Sequence, residues 1–189
     1  MRPGQTPSQT VGPFFRPSLI SAGAENLVRA ETRGERVTIE GRVIDGDGAP
    51  VTDAMLEIWQ ANAEGRYDHP DDDQEKLLDP TFHGYGRAAT DARGAFRFHT
   101  IKPGPVPGAD GELQAPHINV SIFARGLLRR LVTRIYFPDE ALNAADAVLN
   151  AAPRDRRATM VAAWTDTTRR ALRFDVILQG AHETVFLDI

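Results

Sequence analysis

The sequence predicts an all-β fold, an antiparallel β-sandwich core with long loops, an extended N-terminal arm and one or two short helices. Three observations carry this. Short segments repeatedly alternate apolar and polar residues, clusters of Gly and Pro separate them, and only one stretch has a helical pattern. The chain has 189 residues, 41% hydrophobic and 25% charged, which suits one globular domain with a full core.

Residues 1–18 are rich in Pro, Gly, Ser, Thr and Gln and read as an extended arm, with the core at 36–189. Residues 19–35 are mixed and have room for a short helix. "RVTIEGRVID" (36–45) places Val37, Ile39 and Val43 on one face, and "GDGAP" (46–50) turns the chain. "AMLEIWQA" (54–61) is a second strand. In "AFRFHTI" (95–101) Phe96, Phe98 and Thr100 alternate against Arg97 and His99. Further strands are expected at 117–124, 131–137, 172–178 and 183–189. "PRDRRATMVAAW" (153–164) predicts a helix, with Pro153 suited to its first turn. The two long connections, 62–94 and 102–116, are expected to serve function or an interface.

Composition excludes several classes. A net charge of −4 gives no basic field for nucleic acid or an anionic membrane surface. There is no cysteine, hence no disulfide, thiolate metal site or cysteine nucleophile, which fits a cytoplasmic protein. The N-terminus lacks the apolar run of a signal peptide, and no segment approaches the ~18 apolar residues of a membrane helix.

Local motifs are weak. In "APHINVSIF" (115–123) strand alternation puts His117, Asn119, Ser121 and Phe123 on one face and Ile118, Val120 and Ile122 on the other. Imidazole is a common metal ligand, but Asn brings neither charge nor imidazole, and one strand histidine is more often a hydrogen-bonded polar residue. His69, His83, His99 and His182 have no partner at ligand spacing. "DHPDDDQE" (68–75) is a solvated acidic loop or a hard-cation site, without the Gly and terminal Glu of an EF-hand. "RGLLRR" (125–130) is a turn between strands, or presents an arginine to a carboxylate.

The order of the pieces says more. "TPSQTVGPFF" (6–15), "GRVIDGDGAPV" (41–51), "LEIWQANAEGRYDHP" (56–70), "LDPTFHGYGRAATDARGAFRFHTIKPGP" (78–105), "APHINVSIFARG" (115–126), "TRIYFPDE" (133–140) and "RFDVILQGAHETVFLDI" (173–189) together resemble the intradiol ring-cleavage dioxygenases over nearly the whole chain. The resemblance is to the α-type chain of members built from two kinds of subunit. It implies four ligand positions, two tyrosines and two histidines around Fe(III), and these fall here on Gln74, Val106, His117 and Asn119. With three of the four replaced, it implies that Fe(III) belongs to a partner β subunit and not to this chain. It further implies that Thr10, Gly12, Pro13 and Arg125 complete the partner's active site, where an aromatic acid substrate binds at the interface. The rival readings are a self-sufficient homo-oligomeric metal enzyme around His117 and the 68–75 carboxylates, and a non-catalytic β-sandwich binding module.

Overall fold

A computed structural model describes residues 4–12, 14–108, 111–168 and 170–188. A short helix, α1 (Phe15–Leu19), precedes β1 (Arg36–Ile44), β2 (Met55–Trp59), β3 (Tyr85–Ala89) and β4 (Ala95–Ile101). Then come β5 (Val106–Pro107), β6 (Leu113–Gln114), β7 (His117–Phe123) and β8 (Leu131–Tyr136). A second short helix, α2 (Ala147–Ala151), leads to β9 (Ala163–Asp166), β10 (Ala171–Arg173) and β11 (Val176–Ile177). Among the described residues no helix is long and apolar enough to cross a membrane.

Two sheets face each other. One has the order β11-β1-β10-β9, with β4 also paired to β1, and the other the order β3-β2-β7-β8. The alternation read from β1 and β4 turns Val37, Ile39, Val43, Phe96 and Phe98 into the core. Leu56, Ile58, Ile118, Val120, Ile122 and Ile135 meet them from the other sheet. Each large side chain hidden this way contributes about 1.5–3 kcal/mol. Gln60 and Thr100, buried between the sheets, satisfy each other: the Thr100 hydroxyl donates to Gln60 Oε1 (2.7 Å) and Gln60 Nε2 donates to the Ile101 carbonyl (2.9 Å).

The sandwich expectation holds, with local corrections. β10 and β11 run parallel to β1, where one strand at 172–178 was expected. The strand breaks because the Phe174 carbonyl passes over Gly41, where a Cβ would lie 1.7 Å from that oxygen. The helix expected at 153–164 is a turn, a 3-10 segment at Arg157–Met160 and then β9, which pairs with β10. Sheet pairing outweighs helix propensity there. Residues 183–188 form no strand, although the Val185 carbonyl accepts from the Thr133 hydroxyl (2.8 Å) and Leu187 N–H reaches the Val132 carbonyl (2.7 Å). The N-terminal arm is not wholly extended, because α1 begins inside it and Phe15 packs on Phe123 (ring centroids 5.7 Å). Residues 20–35 hold turns and no helix. The connection at 62–94 conceals β3. Its Gly86 reads as a strand breaker, but a Cβ there would lie 2.5 Å from Leu27 Cδ1 and 2.9 Å from the Ala24 carbonyl, so close packing demands glycine.

Candidate functional site

The strand β7 turns His117, Asn119, Ser121 and Phe123 to the outer face of the second sheet, as its alternation requires. Register builds a row across that face, in the order Tyr85, Trp59, Asn119, Arg134, from β3, β2, β7 and β8. Gln74, Val106 and His117 line one cavity of about 320 Å³ together with Tyr67 and Arg134. Asn119 lies next to it, in an adjoining cavity of about 640 Å³ that shares Trp59, Tyr67, His69 and Arg134. Four positions scattered over 46 residues of sequence thus converge.

Each has a defined set of partners. His117 is 3% exposed, and its Nδ1 lies 2.7 Å from the Ala115 carbonyl. That contact requires the proton on Nδ1 and leaves Nε2 as the bare nitrogen. Burial, aided by the Arg134 charge, pushes its pKa down to about 4. Asn119 Nδ2 donates to the Tyr67 hydroxyl (3.3 Å), and Asn119 Oδ1 accepts from Arg134 Nε (3.1 Å). Gln74 Nε2 donates to the Gly65 carbonyl (3.1 Å) and to the Asp72 carboxylate (3.0 Å). Val106 is buried in β5, opposite Gln114. Burial holds the Tyr67 phenol above its ordinary pKa, so it is no tyrosinate at neutral pH.

These residues do not fit ferric iron. A guanidinium is hydrogen-bonded to Asn119, two positions carry neutral carboxamides, one is aliphatic, and a single imidazole remains. The side chains at these four positions offer a trivalent cation no anionic oxygen, and Arg134 beside them repels it; Asp71, Asp72 and Asp73 line the same cavity, but among the described residues they form no cluster arranged to hold a metal ion.

The wall behind His117 is rigid. Asp146 is fully buried, and its carboxyl accepts from Ala115 N–H (2.9 Å), the Tyr136 hydroxyl (2.8 Å) and Leu149 N–H (2.8 Å). It caps α2 and fixes the backbone entering β7 in one stroke. The acidic loop is internally engaged: Asp68 pairs with His83 (2.5 Å), and Asp72 accepts from Tyr67 N–H (2.7 Å). Among the described residues no cluster of His, Cys, Asp or Glu is arranged to hold a metal ion.

A second grouping lies at the turn between β7 and β8. The Thr10 hydroxyl accepts from Gly126 N–H (2.7 Å), which pins the arm beside Arg125. Arg125 Nε pairs with the Asp53 carboxylate, and its side chain is 68% exposed. Gly12 is exposed and its carbonyl accepts from Phe15 N–H (3.2 Å), but among the described residues nothing crowds it. Pro13 lies outside the described residues. Thr10 and Arg125 are brought together; the expected ligand positions Gln74, Val106, His117 and Asn119 form a separate group.

Sequence reasoning missed Trp59, Tyr67, Gln114 and Arg134 as members of the site. Only the alternation of β8, which turns Arg134 outward with Val132 and Tyr136, offered a signal, and it does not reveal the neighbouring strand.

A family model described as Dioxygenase matches residues 11–180. The chain is 44% identical over 199 residues to the protocatechuate 3,4-dioxygenase alpha chain of Burkholderia cepacia, covering 98% of each. It is 40% identical over 168 residues to the protocatechuate 3,4-dioxygenase beta chain of the same organism, covering 85% of this chain but 72% of that one. Among solved structures, the dioxygenase domain of a dioxygenase–carbohydrate-binding fusion from Streptomyces sp. SirexAA-E superposes with a TM-score of 0.65 at 30% identity, covering 96% of this chain and 100% of that one.

Proposed function

The chain belongs to the intradiol dioxygenase family, and from that premise we propose that it is the α subunit of a protocatechuate 3,4-dioxygenase, working with a cytoplasmic β partner that carries the iron. The observation that carries this reading is the convergence of Gln74, Val106 and His117 on one cavity and of Asn119 on the adjoining one, with Arg134 lining both and no tyrosine or second histidine at the four positions. A family scaffold in this state contributes by assembly. The end-to-end match to an alpha chain, against the shorter match to a beta chain, supports the same assignment.

Ferric iron, held by the partner, supplies the oxidative chemistry. The complex cleaves the bond between the two hydroxyl-bearing carbons of protocatechuate and inserts both atoms of O2, giving 3-carboxy-cis,cis-muconate. This chain closes the pocket. Thr10 fixes the arm beside Arg125, so that Gly12 is presented to the partner, and Pro13 is assigned to the same contact by the resemblance alone. Asp53 pairs with Arg125 Nε, and the Arg125 side chain stays 68% exposed, where it adds positive potential for an anionic aromatic acid. Substrate thus binds at the interface of the two chains.

Co-expression with a β chain tests this. The pair is expected to purify as a hetero-oligomer containing iron and dioxygenase activity, while the lone chain carries no iron. Arg125→Ala and removal of residues 1–13 are each expected to lower turnover at unchanged iron content. Stoichiometric iron and ring cleavage in the lone chain overturn the assignment.

A further inference from the structure

The row Tyr85, Trp59, Asn119, Arg134 floors a cleft that the dioxygenase reading leaves without a task. Its larger cavity, about 640 Å³, lies within the ~300–1,000 Å³ of small-molecule sites. Trp59 is 40% exposed and Tyr85 46%, although both stand on a sheet face where neighbours are available to cover them. Trp59 also packs against Tyr67 in a tilted arrangement, with ring centroids 4.6 Å apart and ring planes at 46°.

The charges in the cleft are unequal. Glu57 is neutralised: Arg87 Nε and Nη2 both lie 2.7 Å from its Oε1, and the Tyr85 hydroxyl donates to the same oxygen at 2.8 Å. Arg130 and Arg134 remain, and among the described residues neither forms an ion pair. The hydrogen-bond partners of Arg134 are all neutral. Nε is given to Asn119, and Nη1 to Gln114 Oε1 (2.7 Å) and the Tyr136 hydroxyl (3.4 Å). Its Nη2 has no partner among the described residues. A half-buried guanidinium oriented by three fixed acceptors, with Nη2 left over, is preorganised to donate to a carboxylate oxygen. The acids Asp71, Asp72 and Asp73 line only the adjoining smaller cavity, so they oppose a second negative charge at the far end.

We propose that this cleft binds a small aromatic monocarboxylate, its ring against Trp59 and Tyr85 and its carboxylate on Arg134 with Arg130. The site lies within this chain and needs neither a metal nor a partner.

Titration of the full-length chain with benzoate, followed by ligand-observed NMR, tests it, with benzamide as the uncharged isostere. Saturable binding is expected at a Kd on the order of 1 mM or tighter. Benzamide is expected to bind at least about tenfold more weakly, and Arg134→Gln to weaken benzoate by a similar factor. Arg130→Gln, an exposed change that leaves the Asn119 and Gln114 contacts alone, is expected to weaken benzoate severalfold and serves if Arg134→Gln does not fold. Equal binding of benzamide, full benzoate affinity in either variant, or no saturation by the folded chain overturns the proposal. In the co-expressed complex the same titration counts a second benzoate site per pair that Arg134→Gln removes. Failure to form a complex leaves the lone-chain result standing, so the two readings fail separately.

Discussion

Replacing Asp146 by alanine isolates the hydrogen-bond node behind the cleft. The substitution orphans three buried donors, the N–H groups of Ala115 and Leu149 and the Tyr136 hydroxyl, at 2.8–2.9 Å from the lost oxygens. An unsatisfied buried donor costs about 1–3 kcal/mol. Two effects reduce the sum. The buried carboxyl no longer has to be desolvated, and Leu149 N–H, in the first turn of a five-residue helix, regains water by local fraying at about 1 kcal/mol, the cost of a lost cap. The net expectation is a loss of about 3–4 kcal/mol. For a chain of this length that lowers Tm by roughly 6–15 °C. Asp146→Asn keeps one acceptor but sets an amide against Ala115 N–H or Tyr136, and is expected to cost about half as much. Urea denaturation of the purified chain, read by circular dichroism, gives both values. A loss below about 1 kcal/mol for the alanine variant, at unchanged m-value, refutes the claim that this carboxyl organises the approach to β7.

His117 gives stability a pH dependence with a definite sign. Its folded pKa, about 4, lies below the ordinary 6.5, so between these values the unfolded chain binds more protons and stability rises with pH. The contribution is complete above about pH 6.5, is lost progressively as pH falls, and amounts to about 3 kcal/mol across the window. His117→Gln is expected to flatten the difference in unfolding free energy between pH 4.5 and pH 7; an unchanged slope means that the imidazole is not held neutral by burial and Arg134. Gly41→Ala drives a Cβ into the Phe174 carbonyl and is expected to cost at least about 3 kcal/mol or to abolish soluble expression. A thermal scan showing a Tm within a few degrees of the parent sinks that reading.

The extent to which the sequence revealed this protein follows from the range of each signal. Alternation within one strand is local, so the outward His117 and Asn119 and the inward Ile118, Val120 and Ile122 are legible in nine residues. Of the expected ligand positions, His117 and Asn119 sit inside a quoted stretch, whereas Gln74 and Val106 fall just outside the stretches that end at 70 and 105, and only the resemblance implies the mismatch of Gln74, Val106 and Asn119 with a tyrosine–histidine set. The helix expected at 153–164 fails because local propensity has no knowledge of β10, whose pairing draws residues 163–166 into a sheet. β3 escapes because Gly86, which breaks the strand pattern, is required by neighbours more than 50 residues away.

The sequence alone determined the layered β class and the lack of thiol chemistry, and through the resemblance it implied the replacement of the ligands. Tertiary structure decided what surrounds those positions. Arg134 enters the site through register across β7 and β8, Thr10 meets Gly126 across 116 residues, and Asp146 ties a helix start to a strand start. Pairing between segments depends on the free energy of the whole packed core, and no local window of residues contains that quantity.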